Sequence, residues 1–405
     1  MQQASKQVRA KALDYFYLPA KTPRLLVASK SMRPAEELTV VMTLEGHEQL
    51  GPINKDRYFQ YPVPISYVPG NEQMISGSGD KTARRWDLKT GKEINEARVV
   101  CEKEVSAVAV SRDGRWIVTA GGNRLPSNPA DGELKAWEIK TGIMKSFEGH
   151  SPTVTCIDVS ADSKLLASGS ADDTIRIWDL DTGKLVAGPF QTAQWVGSIR
   201  FSQHSMKLAV NSLTGKCLEV WDIQGQKLDR KIGKQDGGGQ VTYAPVFWTT
   251  NDKSIVAVFA LMPPLECAKN IYEFDASTLD IIGVPFEGHT EAVTCLALSF
   301  DCALLASASH DDTIKLWAFE TRQLLASFDI QYLNALILSP DLRHLAYTTG
   351  SDTKIYICNV PPNILASIRS AQDTQSNVCI LPNTCVIPAL KFYCRAVYLT
   401  LHWHP

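Results

Sequence analysis

The first candidates for chemistry in this sequence are His47, His150 and His289, because each of them follows a glycine. Histidine titrates near neutral pH and is the side chain that most often transfers protons in catalysis. The motifs that would surround a catalytic histidine are absent: there is no Gly-x-Ser-x-Gly elbow, and no Gly-Lys pair has the flanking residues of a phosphate-binding loop. The sequence therefore predicts no catalytic residue and no cofactor.

Metal-binding side chains come together only near the end of the chain, at Cys394, His402 and His404, which lack the paired spacing of a zinc site. We predict no metal site. The 10 cysteines include no Cys-x-x-Cys pair and are too dilute for a disulfide scaffold, which indicates a reducing compartment. Cys156 and Cys295 occupy the same place in two similar stretches, so we interpret them as small core residues.

The charge balance excludes several partner classes. With 41 basic and 43 acidic residues, the chain has no broad field for nucleic acid or an anionic membrane. No apolar run is long enough to span a membrane. The basic residues 1–33 indicate a loose tail in preference to a mitochondrial presequence. We predict a cytoplasmic or nuclear protein. We interpret the small basic patch formed by Lys81, Arg84 and Arg85 as solvent-exposed charges, and Arg200 and Lys207 in the same way.

Two stretches of the chain repeat each other, residues 165–179 (LLASGSADDTIRIWD) and residues 304–318 (LLASASHDDTIKLWA). Each reads as an apolar strand, a tight turn and a second strand. Alignment on the tryptophan of this pattern gives a series of anchors along the chain: Trp86, Trp137, Trp178, Trp221, Phe274, Trp317 and Cys358. Most of the intervals match the length of a four-stranded propeller blade, which is about 40–45 residues.

Residues 37–360 resemble the WD40 repeat family. The resemblance lies in the segments around the anchors, such as RRWDLKTGK, RIWDLDTGK and KLWAFETRQ, and in the Gly-His pairs. The resemblance implies an all-β fold, a seven-bladed WD40 β-propeller. One four-stranded blade cannot bury both of its faces. Blades packed side by side in a ring bury each other's faces and leave few strand edges open.

The resemblance also implies a buried hydrogen-bonded tetrad of His, Ser, Asp and Trp in three blades. The residues are His47, Ser76, Asp80 and Trp86 in blade 1, His150, Ser168, Asp172 and Trp178 in blade 3, and His289, Ser307, Asp311 and Trp317 in blade 6. A buried imidazole must satisfy both of its nitrogens, so these histidines are interpreted as structural. Blade 4 has Gly215 in place of the aspartate and blade 7 has Cys358 in place of the tryptophan, so we expect apolar packing to hold both.

Ring closure is expected to involve both ends of the repeat region. Residues 37–44 (ELTVVMTL) read as a strand, and in this family such a strand completes the last blade, here by pairing with residues 354–359. The predicted domains are a basic extension at 1–36, the propeller at 37–360, and a tail at 361–405 outside the ring. Three explanations remain for the apolar composition of the tail: it packs on a blade, it binds a partner, or it comes from a faulty gene model.

Loop lengths point to one face of the ring. The turns that join the inner pair of strands and those after the tryptophan anchors are short, and both sets lie on the bottom face. The long insertions fall in connections that reach the opposite, top face: residues 48–60, 123–132, 234–240 and 261–270. Function concentrates in variable loops on a rigid scaffold, so we predict that the top face is the working surface.

We predict the top-face side chains from the positions that face the top entrance of the channel in WD40 proteins. They are Thr153 and Thr155 in blade 3, Trp195 in blade 4, Thr294 and His310 in blade 6, and Tyr332 in blade 7. The first insertion adds Arg57, Tyr58, Phe59 and Tyr61, which either contact a partner or pack the loop onto its own blade. Exposed Trp and Tyr are the residue types that carry interface energy.

The functional hypothesis is a non-catalytic interaction scaffold, a monomer within a larger complex, that binds a protein or peptide on its top face. The alternative is the substrate receptor of a ubiquitin ligase, although the Trp-Asp-x-Arg docking signature lacks its arginine here. A G-protein β subunit would need an N-terminal coiled coil, which Pro19, Pro23 and Pro34 interrupt. An enzyme at the central channel would need clustered acids or histidines, and nucleic-acid binding would need a basic stripe.

Overall fold

The computed structural model describes residues 38–48, 63–95, 98–122, 132–233, 242, 244–261 and 267–368. These residues form seven antiparallel sheets, which are the blades. Residues on the first strands of blades 1 to 4, 6 and 7, together with Pro245 of blade 5, line one central cavity of about 200 Å³. The blades are therefore arranged in a ring around a channel, as the repeat pattern predicted.

The strands follow one another from the channel outward. Blade 1 contains Ile65–Tyr67, Gln73–Gly77, Thr82–Asp87 and a divided outer strand, Lys92–Glu93 and Arg98–Val99. Blade 2 contains Val105–Val110, Trp116–Gly121, Glu133–Glu138 and Met144–Ser146. Blade 3 contains Val154–Val159, Leu165–Ser170, Thr174–Asp179 and Leu185–Gln191. Blade 4 contains Val196–Phe201, Lys207–Ser212, Cys217–Asp222 and Lys227–Gly233.

The remaining blades complete the ring. Blade 5 contains Phe247–Trp248, Ser254–Phe259 and Asn270–Asp275, with a single 3₁₀ turn at Thr250–Asp252. Blade 6 contains Val293–Leu298, Leu304–Ser309, Thr313–Ala318 and Gln323–Asp329. Blade 7 contains Leu333–Leu338, His344–Thr349, Ile355–Asn359 and the early strand Val40–Leu44.

The ring closes through pairing of its first and last strands. Val40–Leu44 runs antiparallel to Ile355–Asn359, with Leu44 opposite Ile355 and Met42 opposite Ile357. Leu44 is completely buried among side chains of blades 7 and 1. The predicted closure is confirmed, and it removes the two free edges that an open row of blades would leave.

The hydrophobic core consists of seven clusters among the described residues, each shared by two neighbouring blades. Trp178 of blade 3, for example, packs with Trp116 and Val118 of blade 2. Each blade thus buries its faces against its neighbours, which is why the same apolar strand pattern recurs along the sequence.

Blade 5 departs from the pattern at its outer edge. Only two isolated bridges, Ile271 to Phe286 and Phe274 to Ile281, join its third strand to the next segment. Gly283 has a positive φ of 67°, and Pro285 has no backbone N–H to donate. These two residues interrupt a regular ladder, so blade 5 has no continuous fourth strand among the described residues.

The chain remains packed against the ring beyond its last strand. Residues 362–368 are helical, and Ile364 and Ile368 are buried in the cluster shared by blades 6 and 7, beside Leu345 and Cys358. The packed core therefore extends past residue 360, the end predicted for the propeller. Residues 369–405, including Cys394, His402 and His404, lie outside the described residues.

Candidate interaction surface

The three predicted tetrads have nearly identical geometry. In blade 3, His150 Nδ1 lies 2.8 Å from Asp172 Oδ2, and His150 Nε2 lies 2.8 Å from Ser168 Oγ. The indole N–H of Trp178 donates to the same Oγ at 2.8 Å. Because the carboxylate only accepts, Nδ1–H donates to it, and the serine hydroxyl donates to Nε2. The corresponding distances in blades 1 and 6 lie between 2.7 and 2.9 Å.

The tetrads leave no nucleophile free for catalysis. Ser76, Ser168 and Ser307 are completely buried, and their hydroxyls are committed to histidine and tryptophan. Burial alone would raise the pKa of Asp311, but hydrogen bonds from His289 and Thr313 outweigh it and hold the pKa well below its usual range. These groups act as cross-links within each blade.

Blades 4 and 7 have the expected apolar packing around their anchors, and each adds a polar contact that was not expected. In blade 4, the Trp221 indole N–H donates to the buried carboxylate of Glu219 at 3.0 Å. In blade 7, the Tyr356 hydroxyl donates to Asp352 at 2.6 Å. Both substitutes stand two residues before the anchor, a position that the sequence reasoning did not consider.

Trp195 and Tyr332 occupy equivalent places on the top face. Each lies in the connection between the outer strand of one blade and the first strand of the next. The carbonyl of Trp195 accepts from the N–H of Leu213 at 2.8 Å, and that of Tyr332 accepts from the N–H of Gly350 at 2.7 Å. Their side chains are 48% and 54% exposed. Two aromatic rings are therefore exposed on backbone that is fixed by hydrogen bonds.

His310 and Tyr332 belong to one patch. His310 is exposed in the hairpin between the second and third strands of blade 6. The backbone N–H of Tyr332 donates to Asp312 of the same hairpin at 3.0 Å. Partial burial lowers the pKa of His310, while the charges of Glu291 and Asp312 oppose this shift. The patch therefore combines an aromatic ring, an imidazole and two carboxylates.

The predicted threonines have a different role. Thr153 and Thr294 are buried, and Thr155 donates from its hydroxyl to the carbonyls of Gly169 and Val196 at 3.1 and 2.6 Å. A β-bulge between Val154 and Cys156 turns Thr155 toward blade 4. This burial does not fit the prediction that Thr153 and Thr294 contact a partner. Arg57, Tyr58, Phe59 and Tyr61 lie outside the described residues.

Several charges that were read as solvated are paired. Arg84 contacts Glu93 at 2.6 Å, and Lys207 contacts Asp229 at 2.8 Å. Arg200 contacts the buried Asp158 at 3.1 Å. Within the described ranges, no group of three or more His, Cys, Asp or Glu side chains is placed to hold a metal ion. No helix in the described part of the chain is long and apolar enough to cross a membrane.

The architecture and its buried tetrads define the class of protein: a seven-bladed β-propeller built from repeated antiparallel sheets. The family described as WD domain, G-beta repeat, matches residues 98–138, 142–179 and 281–318. The chain therefore carries WD40 repeats in these three places, on a seven-bladed β-propeller.

Curated relatives are similar over much of the propeller. Eukaryotic translation initiation factor 3 subunit I of Bombyx mori is 25% identical over 261 residues, which cover 62% of this chain and 74% of that protein. The subunit of the same name from Drosophila virilis is 22% identical over 259 residues, 62% and 76% of the two chains. WD repeat-containing protein SL1-17 of Schistosoma mansoni is 28% identical over 215 residues, 51% and 67% of the two chains.

Proposed function

We propose that this protein is a non-catalytic scaffold that binds a protein or peptide partner on its top face, as one subunit of a larger intracellular complex. The observation that carries the proposal is the pair Trp195 and Tyr332, two aromatic side chains about half exposed at equivalent positions of a rigid ring. Exposed Trp and Tyr on fixed backbone lose little entropy on binding and dominate interface energies.

The relatives favour a multisubunit assembly as the setting. Two of them are named as subunits of translation initiation factor 3. In both, the region that aligns with this chain makes up about three quarters of the relative's length. We infer that this chain acts in an assembly of that kind, and translation initiation favours the cytoplasm as its site of action. The lack of a free serine or imidazole in the tetrads supports a binding role over catalysis.

The test is affinity purification of the tagged full chain followed by mass spectrometry, with wild type beside Trp195→Ala/Tyr332→Ala. A matched control is Val99→Ala/Val284→Ala, which shortens two exposed apolar side chains on the outer rim. Hot-spot residues contribute about 2 kcal/mol or more each, so partner recovery should fall more than tenfold in the top-face variant only.

Four outcomes are informative. Recovery of initiation factor 3 subunits by wild type would support that setting, whereas recovery of ubiquitin ligase subunits would favour the substrate-receptor alternative. An unchanged set of interactors in a folded top-face variant would contradict the proposed binding surface. Turnover of a substrate by the purified protein would contradict the non-catalytic role.

A further inference from the structure

The bottom end of the channel opens into a second cavity. It has a volume of about 820 Å³ and receives residues from every blade, from Ile65 of blade 1 to Leu338 of blade 7. Several of its lining residues sit on the short hairpins between first and second strands, so it lies on the face opposite Trp195 and Tyr332. A volume of this size admits a peptide segment of several residues and exceeds the needs of a single side chain.

One side of this bottom cavity is apolar. Phe300 stands at the tip of the first hairpin of blade 6 and is 77% exposed, more than any other large apolar side chain in the described ranges. Pro340 and Leu338 of blade 7 line the cavity beside it. A phenyl ring held in water by a tight hairpin is a ready contact for an apolar side chain of a partner.

The hairpin of Phe300 is rigid, since Ser299 Oγ donates to Asp301 at 2.6 Å and the backbone N–H of Ala303 donates to the same carboxylate at 3.1 Å. The ring is therefore presented in a fixed position, which lowers the entropy cost of binding.

The other side of the cavity is basic. Arg112 of blade 2 and Arg200 of blade 4 both line it, with the buried Asp158 of blade 3 between their strands. Asp158 is already satisfied, because Arg200 donates to Oδ1 at 3.1 Å and the N–H of Phe201 donates to Oδ2 at 2.7 Å. Two cations thus face one carboxylate that is already engaged, which leaves a net positive charge.

Hydrogen-bond donors at the cavity lack acceptors. Nε of Arg200 is buried without a hydrogen-bond partner among the described residues, and so is the hydroxyl of Tyr67. Burial, and to a smaller extent the charge of Asp341, raise the pKa of Tyr67, so its hydroxyl stays protonated. Arg112 forms no ion pair with any residue that the structure describes. Buried donors without acceptors are costly, so these side chains add to the positive character of this side of the cavity without themselves contacting a ligand.

The acidic residues around the rim, Asp113 and Asp341, form no ion pair with Arg112 or Arg200 among the described residues. Asp113 accepts from Ser111 Oγ at 2.5 Å and from the N–H of Arg115 at 3.0 Å. Asp341 accepts from Ser339 Oγ at 2.6 Å and from the N–H of Arg343 at 3.1 Å. Their oxygens hold the hairpins in shape. Because Asp158 is the one carboxylate among the described residues that lines the cavity with Arg112 and Arg200, an incoming carboxylate is the complementary group for these two arginines.

We propose that the bottom cavity, lined by Arg112, Arg200 and Phe300, is a second docking site for an acidic linear peptide of a partner protein. A carboxylate side chain of the peptide binds between Arg112 and Arg200, and an apolar side chain packs on Phe300 and Pro340. Blades 2 to 4 and blades 6 to 7 lie on opposite sides of the ring, so the two anchors are several residues apart in an extended segment, at about 3.3 Å per residue. This site goes beyond the top-face function and does not depend on it.

The test uses a phage-displayed library of random 16-residue peptides selected on the full-length protein. We expect enrichment of sequences that combine Asp or Glu with an apolar residue at a constant spacing. The best peptide is then synthesised with a fluorophore, and its Kd is measured by fluorescence polarisation. Arg112→Ala and Phe300→Ala should each weaken binding by roughly tenfold, and added salt should weaken it further.

Two variants serve as controls, and a third tests Arg200. Arg343→Ala removes an exposed arginine from the same face that does not line the cavity, and Trp195→Ala/Tyr332→Ala removes the top-face rings; both should leave the Kd unchanged. Arg200→Lys keeps a cation near Asp158, so the fold survives, while the planar guanidinium on the Phe247 ring is lost. It should weaken binding with little change in the melting temperature.

The proposal is overturned if no peptide is enriched, if the enriched peptides lack acidic residues, or if Arg112→Ala binds them as wild type does. Loss of binding in the top-face variant alone would assign the peptide to the top face. Because the controls separate the two faces, failure of this site would leave the top-face proposal standing.

Discussion

At the scale of single residues, the histidines illustrate how identical chemistry serves structure instead of catalysis. His47, His150 and His289 each have both nitrogens engaged in hydrogen bonds and almost no exposure, so neither nitrogen is free to contact a substrate. The partner carboxylates are held in their charged form by the same hydrogen bonds. This coupling makes the stability of three blades depend on pH.

The first prediction concerns acid. The pKa of Asp80 and Asp311 is depressed in the folded protein, because hydrogen bonds from histidine and threonine outweigh the burial that would raise it. Their stabilisation is therefore present above the unfolded pKa of about 3.9 and is lost as pH falls below it. In urea titrations, Asp311→Asn should lower the free energy of unfolding at pH 6. In the variant, the free energy of unfolding should also fall less steeply between pH 4 and pH 2 than in wild type.

The exposed Asp280→Asn is the control and should follow the wild-type curve. Equal slopes for Asp311→Asn and wild type across the acid range would contradict the role assigned to the tetrad carboxylate.

The second prediction concerns thiols. Burial raises the pKa of Cys101, Cys156, Cys217 and Cys295 to about 12 in each case. The thiolate is the reactive form, so these cysteines should resist a maleimide at pH 7 in the native protein and react fully in urea. Mass spectrometry of labelled peptides measures both states. Rapid native labelling of Cys156 or Cys295 would show that the channel admits the reagent and that burial does not protect them.

At the scale of the strand and the blade, different residues supply the acceptor that the buried anchor needs. Blades 1, 3 and 6 tie the third strand to the second through serine and tryptophan, whereas blade 4 uses Glu219 for Trp221. Glu219 Oε1 also accepts from the N–H of Ala193 at 3.2 Å and lies 3.4 Å from Lys231 Nζ. The blade survives the loss of the family residues because the buried indole still has an acceptor.

The third prediction tests this substitution. Glu219→Ala leaves the Trp221 indole N–H buried without an acceptor and should cost about 1–3 kcal/mol of unfolding free energy. Glu219→Gln keeps a carbonyl oxygen as acceptor and should cost less. Glu148→Ala, an exposed glutamate, is the matched control. Urea unfolding measures all three, and equal stability of Glu219→Ala and the control would show that packing alone holds blade 4.

At the scale of the whole molecule, the ring depends on one short strand. Val40–Leu44 joins blade 7 although it precedes all the other strands that the structure describes, and its loss would expose the edge of Ile355–Asn359. Leu44 is completely buried between blades 7 and 1, whereas Val41 on the same strand is 47% exposed. A substitution at Leu44 therefore removes a buried contact that closes the ring, whereas one at Val41 changes the same strand without affecting that contact.

The fourth prediction uses this pair. Leu44→Ala removes buried methyl groups and leaves a cavity, so it should cost about 2–5 kcal/mol and speed cleavage by a protease near the junction. Val41→Ala should change stability by about 0.5 kcal/mol or less. Thermal unfolding and limited proteolysis provide the measurements. If both variants unfold alike, the early strand does not carry the closure of the ring.

The sequence by itself determined the number of blades, the tetrad residues and the closing strand. Each of these is written in a repeated local pattern: an apolar strand, a tight turn and an anchor recur at a fixed interval, as at Ser168 and Trp178 and again at Ser307 and Trp317. Residues at constant offsets on paired strands meet in space whatever the rest of the chain does. Such features can be predicted from the sequence of one repeat without knowing how it packs against the neighbouring blades.

The tertiary structure alone decided which side chains face solvent and which charges meet. Thr155 bonds to the next blade because a bulge turns it, Arg200 meets Asp158 across two blades, and Ile364 packs under blade 7 after the last strand. The bottom cavity draws residues from all the blades, which no single repeat contains. Contacts between distant parts of the chain depend on how the blades pack, and packing is set by the closed ring as a whole.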